Sequence, residues 1–197
     1  MVIANKTTPS SPALLSVPIH QSLRSLLPTN RMLNSYLVFL SALVATQVTA
    51  LPNGAPLTAC GSMKPLHVPF IFAQPNSPFT LTVSSATASV GSPITVTLKS
   101  TTAATFKGFL VQARSGNSKT ALGTFDVSQG TNAGKTLNCP KGTANAVTHK
   151  DATLKTEQSF KWTPPASFTG KVTMKATVVE AYALIYRDIS SETITVS

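Results

Sequence analysis

Acidic residues are scarce in this chain: there are six in 197 residues, and the first is Asp126. They are scattered and form no paired-carboxylate signature of the kind glycoside hydrolysis uses. Histidine is almost as sparse. His67 and His149 are the only two beyond residue 50, and neither has Cys, Asp or His partners spaced to complete the three or four ligands of a metal site. No Gly-x-Ser-x-Gly elbow presents a nucleophilic serine. The chain is therefore expected to be no enzyme and to hold no cofactor. It also lacks an apolar run of the roughly 20 residues that cross a bilayer, so stable membrane insertion is not expected. A helical period sustained for about 12 residues is absent too.

What is present divides at residue 50. Residues 1–50 carry Lys6, Arg24 and Arg31 and no acid. The short apolar run from Leu37 to Ala45 leads to Val48-Thr49-Ala50, a small-residue exit. A basic start, an apolar centre and small residues at the end are the parts of a secretory signal peptide. Read from Met32 this signal has an ordinary length. The expected division is a dispensable extension over 1–31, a signal peptide over 32–50 and one mature domain over 51–197. A mitochondrial transit peptide would share the serines and the lack of acid, but the apolar run with its exit favours export. The expected location is extracellular.

Three of the 16 lysines and arginines lie in the leader, so 13 remain against six acids. Lys64, Lys99, Lys107, Arg114 and Lys119 all precede Asp126 and have nothing to offset them. Such an excess favours anionic partners such as lipopolysaccharide, teichoic acid or sulfated glycans; the competing reading is a soluble surface of high pI. Without basic runs or interleaved aromatics, nucleic acid is not an expected partner. Cys60 and Cys139 are the only cysteines. In an oxidising compartment an even count suggests a disulfide. It would close a loop of roughly 80 residues and contribute on the order of 4 kcal/mol. Two free thiols are the alternative.

The strand pattern centres on Phe106–Arg114. Phe109, Val111 and Ala113 alternate with Leu110, Gln112 and Arg114, the period of a half-buried strand. Gly108 near its start marks a bulge or a close backbone approach, and Ser115-Gly116-Asn117-Ser118 ends it in turn formers. Six prolines between Leu51 and Pro78 exclude helix there and leave extended pieces such as Val68–Phe72. Alternation recurs at Phe79–Val83 and, after a turn region over 84–92, at Ile94–Leu98. Further strands are expected over 122–127, 144–149, 158–163, 171–180 and 194–196. Gln129–Thr136 reads as a polar loop. Its Gly130-to-Thr136 stretch resembles a phosphate-binding loop, but it is one residue short between the glycines and no helix follows. Strands this short, with turns this regular, predict an all-β, two-sheet antiparallel sandwich of about 7–9 strands.

Trp162, before Thr163-Pro164-Pro165, is expected to anchor the core rather than stack on a ligand. His149, at a strand end, is expected to be a hydrogen-bonded structural residue. Lys107, Arg114 and Lys119 flank the central strand and its turn; they form either a ligand-binding basic patch or dispersed solvated charges.

Several of these landmarks fall in an order that is similar to the reelin-type (Reeler) domain family. Gly54-Ala55-Pro56, Cys60, Met63, Pro65 and His67 resemble its opening motif. Phe106–Arg114 resembles its most specific stretch. Gly123-Thr124-Phe125, Cys139, Val147-Thr148-His149, Phe160–Pro165 and Ala176–Val179 follow in the family's order, so the resemblance covers essentially all of 54–197. It implies an immunoglobulin-like sandwich with Cys60 bridged to Cys139. Among the family's architectures the chain resembles a single secreted innate-immunity domain that binds microbial surface polymers such as lipopolysaccharide, peptidoglycan and glucan; a monomer is expected. A matrix or adhesion module that binds a host protein or a sulfated glycan is the alternative. Neither carries catalytic residues, and the family's reductase role is not expected to carry over.

Overall fold

Alternating apolar residues place this chain in two facing sheets. The computed structural model describes residues 52–65, 73–129 and 133–197. These residues form one helical turn, α1 (Ala59–Ser62), and ten strands: β1 (Phe79–Val83), β2 (Thr87–Ala88), β3 (Ile94–Ser100), β4 (Gly108–Arg114), β5 (Thr124–Asp126), β6 (Gly134–Leu137), β7 (Ala146–His149), β8 (Glu157–Thr163), β9 (Gly170–Ala181) and β10 (Leu184–Val196). The smaller sheet has the order β1-β3-β8-β5 and the larger β2-β10-β9-β4-β7-β6. The fold is the expected β-sandwich.

The core lies between the sheets because each strand buries its apolar alternate face there. Leu81, Val96, Leu98, Phe160 and Trp162 of the smaller sheet meet Phe109, Val111, Val147, Met174 and Val178 of the larger. Aromatic rings run through the middle at centroid spacings of 5.5 Å (Phe79–Phe106), 6.0 Å (Phe106–Phe109) and 5.5 Å (Phe109–Phe160). Edge and tilted contacts of this kind add to the burial of the rings themselves. Trp162 is fully buried, and its indole N–H donates to Leu122 O at 2.9 Å. Gly123 lies against it with φ +70°, and a Cβ there would sit 2.5 Å from Trp162 Nε1.

Five expectations change. Helix is not excluded over 51–78: α1 fits between Pro56 and Pro65, since neither proline has to donate an N–H within the turn. Ala59 N–H bonds Pro56 O, and Met63, at φ 52°, closes the turn on Ala59 O. The polar stretch 129–136 is not all loop, because Gly134 begins β6, which pairs with β7. The turn region over 84–92 contains β2, and β2 runs parallel to β10, so the sandwich is not wholly antiparallel. The last strand begins at Leu184 rather than Ile194. With β2 and β6 included the strands number ten instead of about 7–9. His67 and Val68–Phe72, the 1–50 leader and Gly130–Asn132 lie outside the described residues.

Candidate functional site

The central strand is buried on both faces, not one. Gly108 through Ala113 are all buried and Arg114 half so. Phe109, Val111 and Ala113 point into the sandwich. Leu110 belongs to a second apolar cluster with Ala59, Cys60, Met63, Ala121, Cys139 and Ala146. A thin third layer therefore covers the outer face of the larger sheet, made of residues 52–65 and the Cys139 loop.

Covalent and polar links both fasten this layer. Cys60 and Cys139 form a disulfide across a sequence separation of 79 residues, with 5.6 Å between their Cα atoms. Gln112, fully buried on β4, donates from Nε2 to Cys60 O at 3.1 Å and to Cys139 Sγ at 3.2 Å. Its Oε1 accepts from Arg114 Nε and Nη2 at 3.0 and 2.7 Å. Arg114 Nη2 also donates to Cys60 O at 2.5 Å and Gly61 O at 3.1 Å. Burial lowers the guanidinium pKa from its ordinary value. At the other end of the layer, Ala55 N–H donates to Thr148 Oγ1 at 2.8 Å. Gly54 lies so close to β7 that a Cβ would sit 2.8 Å from His149 O. Gly108 makes the close approach expected of it: a Cβ there would be 3.1 Å from the His149 ring. His149 Nδ1 accepts from Phe109 N–H at 3.2 Å.

Two depressions flank the covering segment. Met63 and Thr177 line both, and Thr177 Oγ1 donates to Met63 O at 2.7 Å, which makes the ridge between them. One depression, of about 190 Å³, is polar and is lined by Ser62, Arg114, Asn117, Ser118, Lys175 and Asp188 among others. Lys175 Nζ donates to Ser190 Oγ at 2.7 Å at its edge. The other, of about 220 Å³, is mainly apolar, with Phe109, Leu110, Val179 and Tyr182 in its wall and Lys64 and Lys107 exposed beside it. Lys107 and Arg114 thus line separate depressions, about 20 Å apart along β4. Lys119 is exposed and follows the turn beyond Arg114. Lys175, absent from the sequence-derived set, joins Arg114 because Gln112 is its cross-strand partner on the same outer face. The alternation of β9 carried that signal.

Beside the apolar depression, Lys155 is buried and its ammonium is caged. Thr153 O (2.7 Å), Asp151 O (2.9 Å), Asp151 Oδ1 (3.2 Å), Lys107 O (3.2 Å) and Thr153 Oγ1 (3.3 Å) surround Nζ. The Thr153 hydroxyl and backbone N–H both donate to Asp151 Oδ1, and with Lys155 they hold the Asp151 carboxyl at about 2, below its usual 3.8. A carboxylate whose pKa is depressed by folding stabilises the native state above its unfolded pKa, and that contribution is lost as pH falls through the folded value. Asp151 should therefore contribute fully above pH 3.8 and lose its contribution between there and about 2. A carboxylate-resolved NMR titration should place it near 2, with Thr153→Val moving it upward; an unchanged Asp151 in that variant would remove the hydroxyl as the cause.

Among the described residues no three His, Cys, Asp or Glu come together as a metal site. Among them, too, no helix is long and apolar enough to cross a membrane. The family profile described as "Reeler domain" matches residues 58–197. A "Putative defense protein Hdd11-like" of Samia ricini is 32% identical over 81% of this chain and 95% of its own. "Putative defense protein 3" of Antheraea mylitta is 35% identical over 84% of this chain and 98% of its own. The human F-spondin reeler domain crystal structure superposes with a TM-score of 0.51 at 24% identity, covering 61% of this chain and 90% of that one.

Proposed function

Because the chain belongs to the Reeler domain family, we propose that it is a secreted, non-catalytic defence protein that holds anionic glycan polymers of microbial surfaces in the polar depression at the Arg114 end of β4. The observation that carries this reading is the composition of that depression. Arg114 and Lys175 supply positive charge, Ser62, Asn117 and Ser118 supply short polar groups, and Asp188 can accept from sugar hydroxyls. Relatives named as defence proteins over nearly their whole length support the biological setting. The signal-like leader supports export. Lys119, just beyond the same turn, extends the positive surface, while Lys107 would act only on polymers long enough to reach the far end of the strand.

The test is a pull-down of the purified protein on lipopolysaccharide, peptidoglycan, β-glucan and heparin across a salt series. Saturable binding to lipopolysaccharide and peptidoglycan that weakens with salt is expected, with uncharged β-glucan as the control, since exposed charges are screened within about 10 Å at 0.1 M salt. Arg114 also holds Cys60 O, so charge reversal is better made at Lys175 and Lys119 together. That variant should bind about tenfold more weakly at low salt, as the loss of two surface charge contacts would give. Unchanged binding by this variant would end the basic-depression mechanism. Capture by heparin alone would point to a host sulfated glycan instead.

A further inference from the structure

We propose that the second depression is a binding site for a single-chain aliphatic anion, independent of the glycan reading. Its wall is mainly apolar: Met63, Leu110 and Val179 line it, its polar side chains besides the lysines are the His149 ring, Thr177 and the phenol of Tyr182, and the Thr177 hydroxyl is already donated to Met63 O. A hydroxyl so engaged has little to offer a polar ligand, whereas the apolar remainder of the wall favours a hydrocarbon. Size limits the occupant. A dry apolar cavity of about 150 Å³ accepts benzene, so about 220 Å³ has room for one chain of about eight or nine carbons. It has no room for the several chains of a glycolipid. Charge fixes the head group. Lys64 and Lys107 are exposed at this depression, and no acid is among its lining residues. An anionic head can therefore stay hydrated beside two ammonium groups while the tail is buried. Tyr182, 45% exposed in the same lining, presents a further apolar face to the opening. The ligand chemistry that fits is a medium-chain fatty carboxylate taken up as a monomer from solution.

Calorimetric titration of the full chain with butanoate, hexanoate, octanoate, decanoate and dodecanoate tests this. Affinity should rise about fourfold per added methylene, the increment for burying a CH₂, and stop rising beyond about nine carbons, when the depression is full. Octanoate should bind more tightly than 1-octanol, and Lys64→Gln with Lys107→Gln should erase that difference while leaving the alcohol unchanged. Ala181→Trp, at an exposed position in the lining, should abolish binding of both without unfolding the protein, which circular dichroism would verify. Affinity independent of chain length, or octanoate binding that survives Ala181→Trp, overturns the proposal. So does capture of acylated glycolipid vesicles by a protein that ignores free octanoate.

Discussion

Exchanging both Cys60 and Cys139 for alanine is expected to lower the unfolding free energy by about 4 kcal/mol, from the loop-closure entropy that a link across about 80 residues removes from the unfolded chain. With a urea m-value of about 2 kcal/mol/M for a domain of this size, the midpoint should fall by about 2 M. The native contacts of Gln112 and Arg114 with Cys60 O do not involve the S–S bond, and they should survive in the folded variant. Hydrogen exchange at the amides around α1 should therefore speed up less than the global loss suggests. A midpoint shift below about 0.5 M would mean that the unfolded chain is already compact enough for the bridge to constrain little. Loss of structure confined to 52–65 would mean that the covering layer, not the domain, depends on the disulfide.

Lys155→Met is the second large effect. The substitution keeps an apolar stem of similar length and removes the cation that serves Asp151 Oδ1 and the carbonyls of Lys107, Asp151 and Thr153. Removing the buried ammonium leaves the carbonyls of Lys107, Asp151 and Thr153 without that donor, which costs on the order of 1–3 kcal/mol, while the partly exposed Asp151 carboxylate can turn to water. Asp151→Asn, which keeps the three carbonyls satisfied, should be far milder at neutral pH. Thermal unfolding of the two variants side by side separates the cation from the carboxylate. Equal losses would show that the ion pair, not the carbonyl cage, carries the stability.

Most of the framework is legible in residue order, and the exceptions have physical causes. Strands β1, β3, β8 and β9 alternate cleanly because one face meets the core and the other water or the outer layer. Strand β10 hides its extent: register shifts between Tyr186 and Ile189 and between Ser190 and Thr193 break the period of two, leaving only Ile194-Thr195-Val196 readable. Strand β6 is an edge strand with two exposed and two half-buried residues, so its sequence looks like a loop. The two-sided burial of β4 cannot be read from Gln112 and Arg114, whose polarity suggests water; their partners are the carbonyls of a segment some 50 residues earlier. The candidate site was legible only as an excess of positive charge. Which cation has its N–H groups committed to carbonyls, and which lies beside an apolar wall, depends on contacts that composition does not encode.

The lengths of the outermost strands bear on how the molecule behaves in a crowd. The larger sheet ends in β2, two residues long, and β6, four residues long with Lys135 exposed; the smaller sheet ends in the three-residue β5 and in β1. Phe79 of β1 packs edge-on against Tyr186 of β10 at 5.3 Å, drawing that border against the opposite sheet. Among the described residues a foreign strand seeking an unpaired row of N–H and C=O groups finds only brief ones, and short or charged borders are how β-proteins avoid edge-to-edge growth. A polymer studded with many copies of this protein would carry them side by side without fusing their sheets, so close packing on a surface would not by itself seed fibrils.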